Sequence, residues 1–334
     1  MPDIPLALGL VLALVLAAEF VNGSTDAPNA IATVVSTRAL SPQAAVLMAA
    51  VLNAVGVFSG TAVATTIGTG FVQTKTINLA VIAAAMLAIV TWSSLAWRYG
   101  LPTSESHALV ASLTGAGFAV GGGDVLLWDG WIKVGLGLVF STLLGFGGGF
   151  AIMLAVYRIF HRWIPSQLRL VFGRLQILSA GFMAFSHGSN DGQKFMGVFT
   201  LALMVSGILP ISEKFQVPWW VILISSVTMA IGTALGGWRI IRTLGMRMVQ
   251  LQPYEGFAAE NGAATVIEVA SRLGIPVSTT HTIGTSIMGV GSVRRLSGVR
   301  WSVAREVVAA WVLTFPVCAF IGWLAASVLS MVLG

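Results

Sequence analysis

The sequence predicts an all-α polytopic membrane protein: two inverted-topology repeats whose broken or re-entrant helices meet at a central substrate site. Three observations predict it. First, the 334 residues are 56% hydrophobic and 9% charged, with mean hydropathy +0.90. Soluble domains carry roughly 25% charged residues, so this chain lacks the polar surface of a globule. Second, Gly100-Leu101-Pro102-Thr103-Ser104-Glu105-Ser106-His107 returns 174 residues later as Gly274-Ile275-Pro276-Val277-Ser278-Thr279-Thr280-His281. Third, Gly23-Ser24-Thr25-Asp26 returns 165 residues later as Gly188-Ser189-Asn190-Asp191. A polar unit duplicated inside apolar sequence is the signature of a carrier with its site at a repeat interface.

A helix needs about 20 apolar residues to cross a bilayer. The clear spans are 4–22, 44–67, 77–97, 132–157, 218–240 and 303–333. The first lacks a basic leader, with only Asp3 before it, and is followed by Glu19 and Asn22 rather than small residues. It therefore reads as a membrane helix, not a removable signal. Shorter or polar-interrupted segments at 106–120, 176–209, 257–270 and 278–293 read as broken or re-entrant helices. Non-helical backbone at that depth survives only when buried in protein or lining a wet cavity. The 38 glycines suit close helix approach in lipid, and Gly145-Phe146-Gly147-Gly148-Gly149, inside an apolar span with no preceding strand, is helix packing rather than a nucleotide loop.

The polar stretch 158–174, with Arg158, His161, Arg162, Arg169 and Arg174, divides the chain. It gives a first repeat at 1–157, a basic cytoplasmic linker at 158–175 and a second, inverted repeat at 176–334. With that linker inside the cell, five crossings lead back to an N-terminus outside. Arg38, Arg98, Arg239, Arg242, Arg247, Arg294, Arg295, Arg300 and Arg305 then join its four arginines inside, thirteen of the 18 Lys and Arg. Asp3, Asp124, Asp129 and Glu213 fall outside. This positive-inside bias fits a multi-pass protein of the cell (inner or plasma) membrane. An odd number of crossings inverts the second half.

The net charge of +6 is explained by the same bias, and no aromatic-interleaved basic patch points to nucleic acid. Cys318 stands alone, which excludes a disulfide framework and a cysteine metal site. No metal site and no cofactor beyond a coupling ion is expected.

Gly23 and Pro28 argue against an unbroken helix through 22–30, so a new helix is expected to begin near Asp26–Asn29. Its free amides favour an anion, and the Asp26 carboxylate beside them a cation. Asp191 repeats this, with Gln193 and Lys194 near the place of Asn29; Lys194 can neutralise Asp191 or contact an anion. The hydroxyls of Ser104, Ser106, Ser278, Thr279 and Thr280, with helix-start amides, can hold a tetrahedral oxyanion without locking it. Ser104 and Ser278 also fit as helix N-caps. His107 and His281 read as packing residues. Glu19, Glu105, Glu260 and Glu268 are the further carboxyls able to carry a proton, unranked by spacing.

These residues resemble the inorganic phosphate transporter (PiT) family in its compact bacterial form. The resemblance runs through Gly23–Ala30, Ser186–Lys194 and Gly274–His281, with Arg38, Gly236-Gly237-Trp238-Arg239 and Gly256-Phe257-Ala258-Ala259-Glu260, and so covers nearly the whole chain. It implies inward symport of inorganic phosphate with protons or sodium. It also implies Asp26, Asn29, Asp191, Ser104, Ser278, Thr279 and Thr280 as phosphate and cation ligands. Thr25, Pro28 and Glu105 depart from the usual pattern, and a carboxylate at 105 would repel phosphate unless protonated. The Gly192-Gln193-Lys194 form favours protons. Cation coupling is thus expected of Asp26, Asp191 and Glu105, and phosphate binding of Asn29, Ser104, Ser106, Gln193, Lys194, Ser278, Thr279 and Thr280. The expected partners are inorganic phosphate, a coupling cation, the lipid bilayer and, as an open alternative, a second copy in a dimer. A sulfate or thiosulfate permease is the closest competing reading. A Ser104–His107 hydrolase is disfavoured because a nucleophile needs one asymmetric base, whereas the pair occurs twice; no enzyme is expected. A passive anion channel would not accumulate its solute.

Overall fold

The computed structural model describes residues 5–70, 72, 76–210 and 215–333. Asp3 and Glu213, assigned above to the outer side, are not among them. The first half of the chain folds into α1 (Leu6–Ser36), α2 (Pro42–Val57), α3 (Ala62–Thr69), α4 (Leu79–Tyr99), α5 (Glu105–Gly121) and α6 (Trp128–Ile159). The second holds α7 (Pro165–Val205), α8 (Trp219–Leu235), α9 (Trp238–Arg242), α10 (Pro253–Arg272), α11 (Thr279–Ser292) and α12 (Trp301–Leu333). A wider helical turn, Thr243–Met248, extends α9. Among the described residues five helices are long and apolar enough to cross a membrane, up to seven if the bent pairs α2–α3 (72°) and α8–α9 (60°) each count as one span.

The breaks fall elsewhere than expected. Both acidic motifs are helical throughout: α1 runs through Gly23–Asn29 with Pro28 inside it, and α7 runs unbroken for 41 residues through Gly188–Lys194. The helix start expected near Asp26–Asn29 does not exist. Ser24 and Thr25 hydroxyls bond back to the Val21 carbonyl, which satisfies them without leaving the helix. Gly237 backbone packs against the Pro28 ring and the Ser24 carbonyl, covering the notch that proline leaves. The interruption moves to the partner helices. The 44–67 span bends at Phe58–Thr61, where Ser59 Oγ donates to Ser189 Oγ at 2.7 Å. The 218–240 span bends at Gly236, whose φ of +64° is open to glycine. Of the basic stretch, residues 160–164 are non-helical, and Arg169 and Arg174 ride on α7.

Two glycine contacts set the helix spacing. Gly23 of α1 lies against Gly232 of α8, and Gly188 of α7 lies against Asn53 of α2, one turn from Gly56, which itself meets Phe185 and Ser189. Gly23 and Gly188 occupy matching motif positions, so the contacts are one joint written twice. The packing repeats this exchange. Helix α5 packs on α12 as α11 packs on α6, and α4 packs on α12 as α10 packs on α6. Without a hydrophobic drive between helices in lipid, such close backbone approach supplies the packing. The outer faces of α6 and α12, with Leu143, Phe140, Leu313 and Phe320, are exposed and apolar, as a lipid-facing surface requires.

A Cβ at 188 would sit inside contact distance of the Asn53 carbonyl, which is backbone and cannot swing away. Gly188→Ala is therefore expected to destabilise the protein by about 1–3 kcal/mol. Gly147→Ala, with nothing within 4 Å of the new methyl, serves as the neutral control. Thermal midpoints of the two purified variants in one detergent measure the difference; equal midpoints would remove the joint.

Candidate functional site

A five-residue turn, 100–104, joins α4 to α5 and a six-residue turn, 273–278, joins α10 to α11, and the last residues of both are buried. Thr103, Ser104, Val277 and Ser278 are each no more than 3% exposed. Pro102 and Pro276 stop any helix from running on, and the serine that follows each caps the next one. Ser104 Oγ accepts from the His107 amide at 3.4 Å, and Ser278 Oγ from the His281 amide at 3.2 Å. The turns meet: Ser106 Oγ donates to the Val277 carbonyl at 2.7 Å. The His107 and His281 rings sit edge to face at 4.5 Å, stacked respectively on Phe315 and Trp311. Both histidines are packing residues, as expected, and Ser104 faces a backbone amide rather than an imidazole. Helix geometry leaves the amides of Glu105–Ser106 and Thr279–Thr280 without intrahelical acceptors. Two helix N-termini thus converge in the protein interior.

The acidic motifs cross beside them. Ligand atoms of Asp26, His187 and Asp191 all lie within 4.8 Å of one another, each residue buried. That is room for one small cation. The His187 ring sits 3.5 Å from Asp191 Oδ2 and reaches Asn53 Oδ1 at 3.1 Å with its other nitrogen. Thr279 Oγ1 donates to Asp191 Oδ2 at 3.2 Å. Asn29 Nδ2 donates to Thr280 Oγ1 at 2.9 Å and to Thr279 Oγ1 at 3.3 Å. Lys194, fully buried, donates to Asp191 Oδ1 at 2.5 Å, Ser106 Oγ at 2.5 Å and the Val277 carbonyl at 3.1 Å. One network therefore joins α1, α5, α7, α11 and the second turn.

The helices α1 and α7 run in opposite directions through this point. Asp26 meets Asp191, whereas farther along α1 Thr37 Oγ1 bonds to Gln176, which precedes Asp191 on α7.

Of the expected site residues, Asn29, Ser104, Ser106, Lys194, Ser278, Thr279, Thr280, Asp26, Asp191 and Glu105 come together. Glu105 is tied to α1 and α4, since Thr25 Oγ1 donates to one oxygen at 3.1 Å and Ser93 Oγ to the other at 2.8 Å. Gln193 departs from expectation. Its Oε1 accepts the Val63 amide at the start of α3 at 2.9 Å and its Nε2 donates to the Ser189 carbonyl at 2.6 Å, so both polar groups brace helices.

The carboxyls that spacing left unranked have different surroundings. Glu268 pairs with Arg272 away from the centre. Glu260 is fully buried and accepts from Thr33, Gln176 and Ser179. Glu19 is fully buried with Asn22 one turn on, and among the described residues no polar atom of either side chain has a hydrogen-bond partner. Sequence reasoning missed Asn22, Ser93 and His187; all three interrupt apolar runs or sit inside a quoted motif, which was the available signal. It also counted Arg98 and Arg239 as ordinary loop charges. They line a cavity of about 660 Å³ that reaches Ser24 and Thr25, beside Asp26. The Arg239 guanidinium lies 5.7 Å over the Trp97 ring and donates to the Arg98 carbonyl.

Residues 22–322 match the model of the phosphate transporter family. The chain belongs to that family. A Rhizobium meliloti relative described as a probable low-affinity inorganic phosphate transporter is 43% identical, covering 95% of this chain and 94% of its own. A Bacillus subtilis relative of the same description is 38% identical over 97% of both chains. A solved structure titled the sodium-dependent phosphate transporter superposes with a TM-score of 0.91, covering 97% of this chain and 99% of that one; at 23% identity the likeness is one of fold. The family is one of transporters, not enzymes, and this member is a multi-pass, all-helical membrane protein.

Replacing Gln193 by Leu should release the Val63 amide. Hydrogen exchange at residues 62–65 is expected to quicken by up to about tenfold, the worth of one such bond. Unchanged exchange there would mean that Gln193 does not hold α3.

Proposed function

We propose that the chain imports inorganic phosphate across the cell membrane by symport with a cation, the anion held between the α5 and α11 turns. The observation that carries this reading is the convergence of two hydroxyl-rich helix starts on a pair of buried carboxylates. Ser104, Ser106, Ser278, Thr279 and Thr280 supply hydroxyls, and the first-turn amides supply partial positive charge. Each is a modest donor, so the anion is shared rather than clamped and can be released. Asn29 orients Thr279 and Thr280. Gln193 is left out of the anion seat, and Lys194 enters it only through Ser106.

Asp26 and Asp191 hold the coupling cation. Two carboxylates this close, at bilayer depth, need positive charge to persist together. The unpartnered groups of Glu19 and Asn22 lie on the same α1 face as Asp26 and offer further oxygens. Glu105, held by Thr25 and Ser93 beside the same site, has to be neutralised by a proton or the cation while the anion is bound. A proton is the favoured coupling ion and sodium the alternative, since a carboxyl pair serves either. The names of the relatives lend sulfate no support.

The antiparallel crossing of α1 and α7, and the exchange of packing partners between halves, support inverted repeats and hence alternating access. With basic residues inside, the Arg98–Arg239 cavity is the inner vestibule, where two guanidinium groups draw the anion off the site. The pairing of α1–α6 with α7–α12 supports a repeat boundary at the non-helical residues 160–164, whereas a second repeat starting at 176 would cut α7.

Asp26→Asn is expected to reach the membrane at normal levels yet lose phosphate uptake, at least tenfold. Labelled phosphate uptake in reconstituted vesicles, under separately imposed pH and sodium gradients, measures it. Normal accumulation by that variant would contradict the assignment, and equal competition by sulfate would contradict the choice of anion.

A further inference from the structure

Lys194 has no counterpart in the first half. The 165-residue register that aligns Asp26 with Asp191 places Asn29 opposite it. The surrounding shells nevertheless correspond. Lys194 reaches Ser106 Oγ at 2.5 Å, and Asn29 reaches Thr280 Oγ1 at 2.9 Å; Ser106 and Thr280 are the matching residues of the two turns. One bond, between an acidic-motif helix and the opposite hairpin, is therefore made twice, once by an ammonium and once by a neutral amide.

The lysine shell is made of oxygen alone: a carboxylate (Asp191), a hydroxyl (Ser106) and a backbone carbonyl (Val277). Hard oxygens of these three kinds are what a bare monovalent cation also takes when it leaves water. All three N–H groups of the ammonium are engaged and the side chain is fully buried, so no donor remains for an anion. Charge differs between the lobes in the same way. Asp191 has its positive partner covalently attached. Asp26 forms no ion pair with a lysine or arginine among the described residues.

We propose that Lys194 is a resident cation, filling in the second lobe the seat that a mobile cation takes in the first. The chain then needs one dissolved cation fewer per cycle than it would with Asn at 194. The inference rests on the cation-coupled reading above, and its consequence is a fixed stoichiometry: the Lys194 ammonium offsets one negative charge of the Asp26–Asp191 pair whichever way the site faces, so the pair takes one exchangeable ion.

Sodium alone, without phosphate, is the probe. Equilibrium binding of radioactive sodium to purified protein counts the sites in wild type, Lys194→Asn, Lys194→Gln and Lys194→Arg, each checked for a single elution peak. The expected result is one additional sodium per chain in the Asn and Gln variants, abolished again in Arg. An unchanged count in a folded Asn or Gln variant overturns the proposal. So does failure of both to fold in concentrated sodium, since a dissolved cation should then replace the ammonium. Phosphate accumulation by wild-type vesicles is measured in parallel. Its absence would sink the transport reading, while the sodium count would still decide the role of Lys194.

Discussion

Two carboxylates, Asp26 and Asp191, are held within one ion's reach of each other in the interior of an apolar chain, and the rest of the fold makes that tolerable. Isolated, each would be expensive at this depth. Lys194 neutralises one and also ties α7 to the α5 start and to the turn before α11. Thr279 bonds the other oxygen of Asp191, and Asn29 orients Thr279. Each bond that satisfies a charge also fixes a helix start. The electrostatic demand and the placing of the helix starts are therefore one construction.

That construction needs backbones to come close, and small residues allow it. Gly23 against α8 and Gly188 against α2 bring the partner helices onto the acidic motifs, and those partners bend where they arrive: α2–α3 at Ser59, bonded to Ser189, and α8–α9 at Gly237, packed on Pro28. The motif helices stay intact. Their neighbours break instead, releasing backbone groups only where protein covers them.

Much of this was legible in the residues. The duplicated turns, the helical caps at Ser104 and Ser278 and the packing role of the glycine run followed from motif and spacing, and the gathering of Asp26, Asn29, Asp191 and the hydroxyls was implied by the family resemblance. The location of the breaks did not. Gly23 and Pro28 are helix breakers by propensity, yet tertiary contact from Gly237 outweighs propensity at 28, and short polar side chains bond back to the helix. The role of Gln193 was equally hidden, because its partner is the amide of Val63, 130 residues away. The pairing of Glu105 with Thr25 and Ser93 was hidden too, because those partners lie 80 and 12 residues away. Long-range pairing of unremarkable polar residues is what a local reading cannot supply.

The central claim is that an oxyanion sits between the two buried turns, with a cation at the crossing of α1 and α7. An experimental density map of the purified protein in lipid, with phosphate present and at a resolution that shows side chains, tests it most directly. The expected density is a tetrahedral anion within hydrogen-bond distance of Ser104–Ser106 and Ser278–Thr280. Phosphate bound elsewhere, with Asp26 and Asp191 separated and the two turns apart, would contradict it.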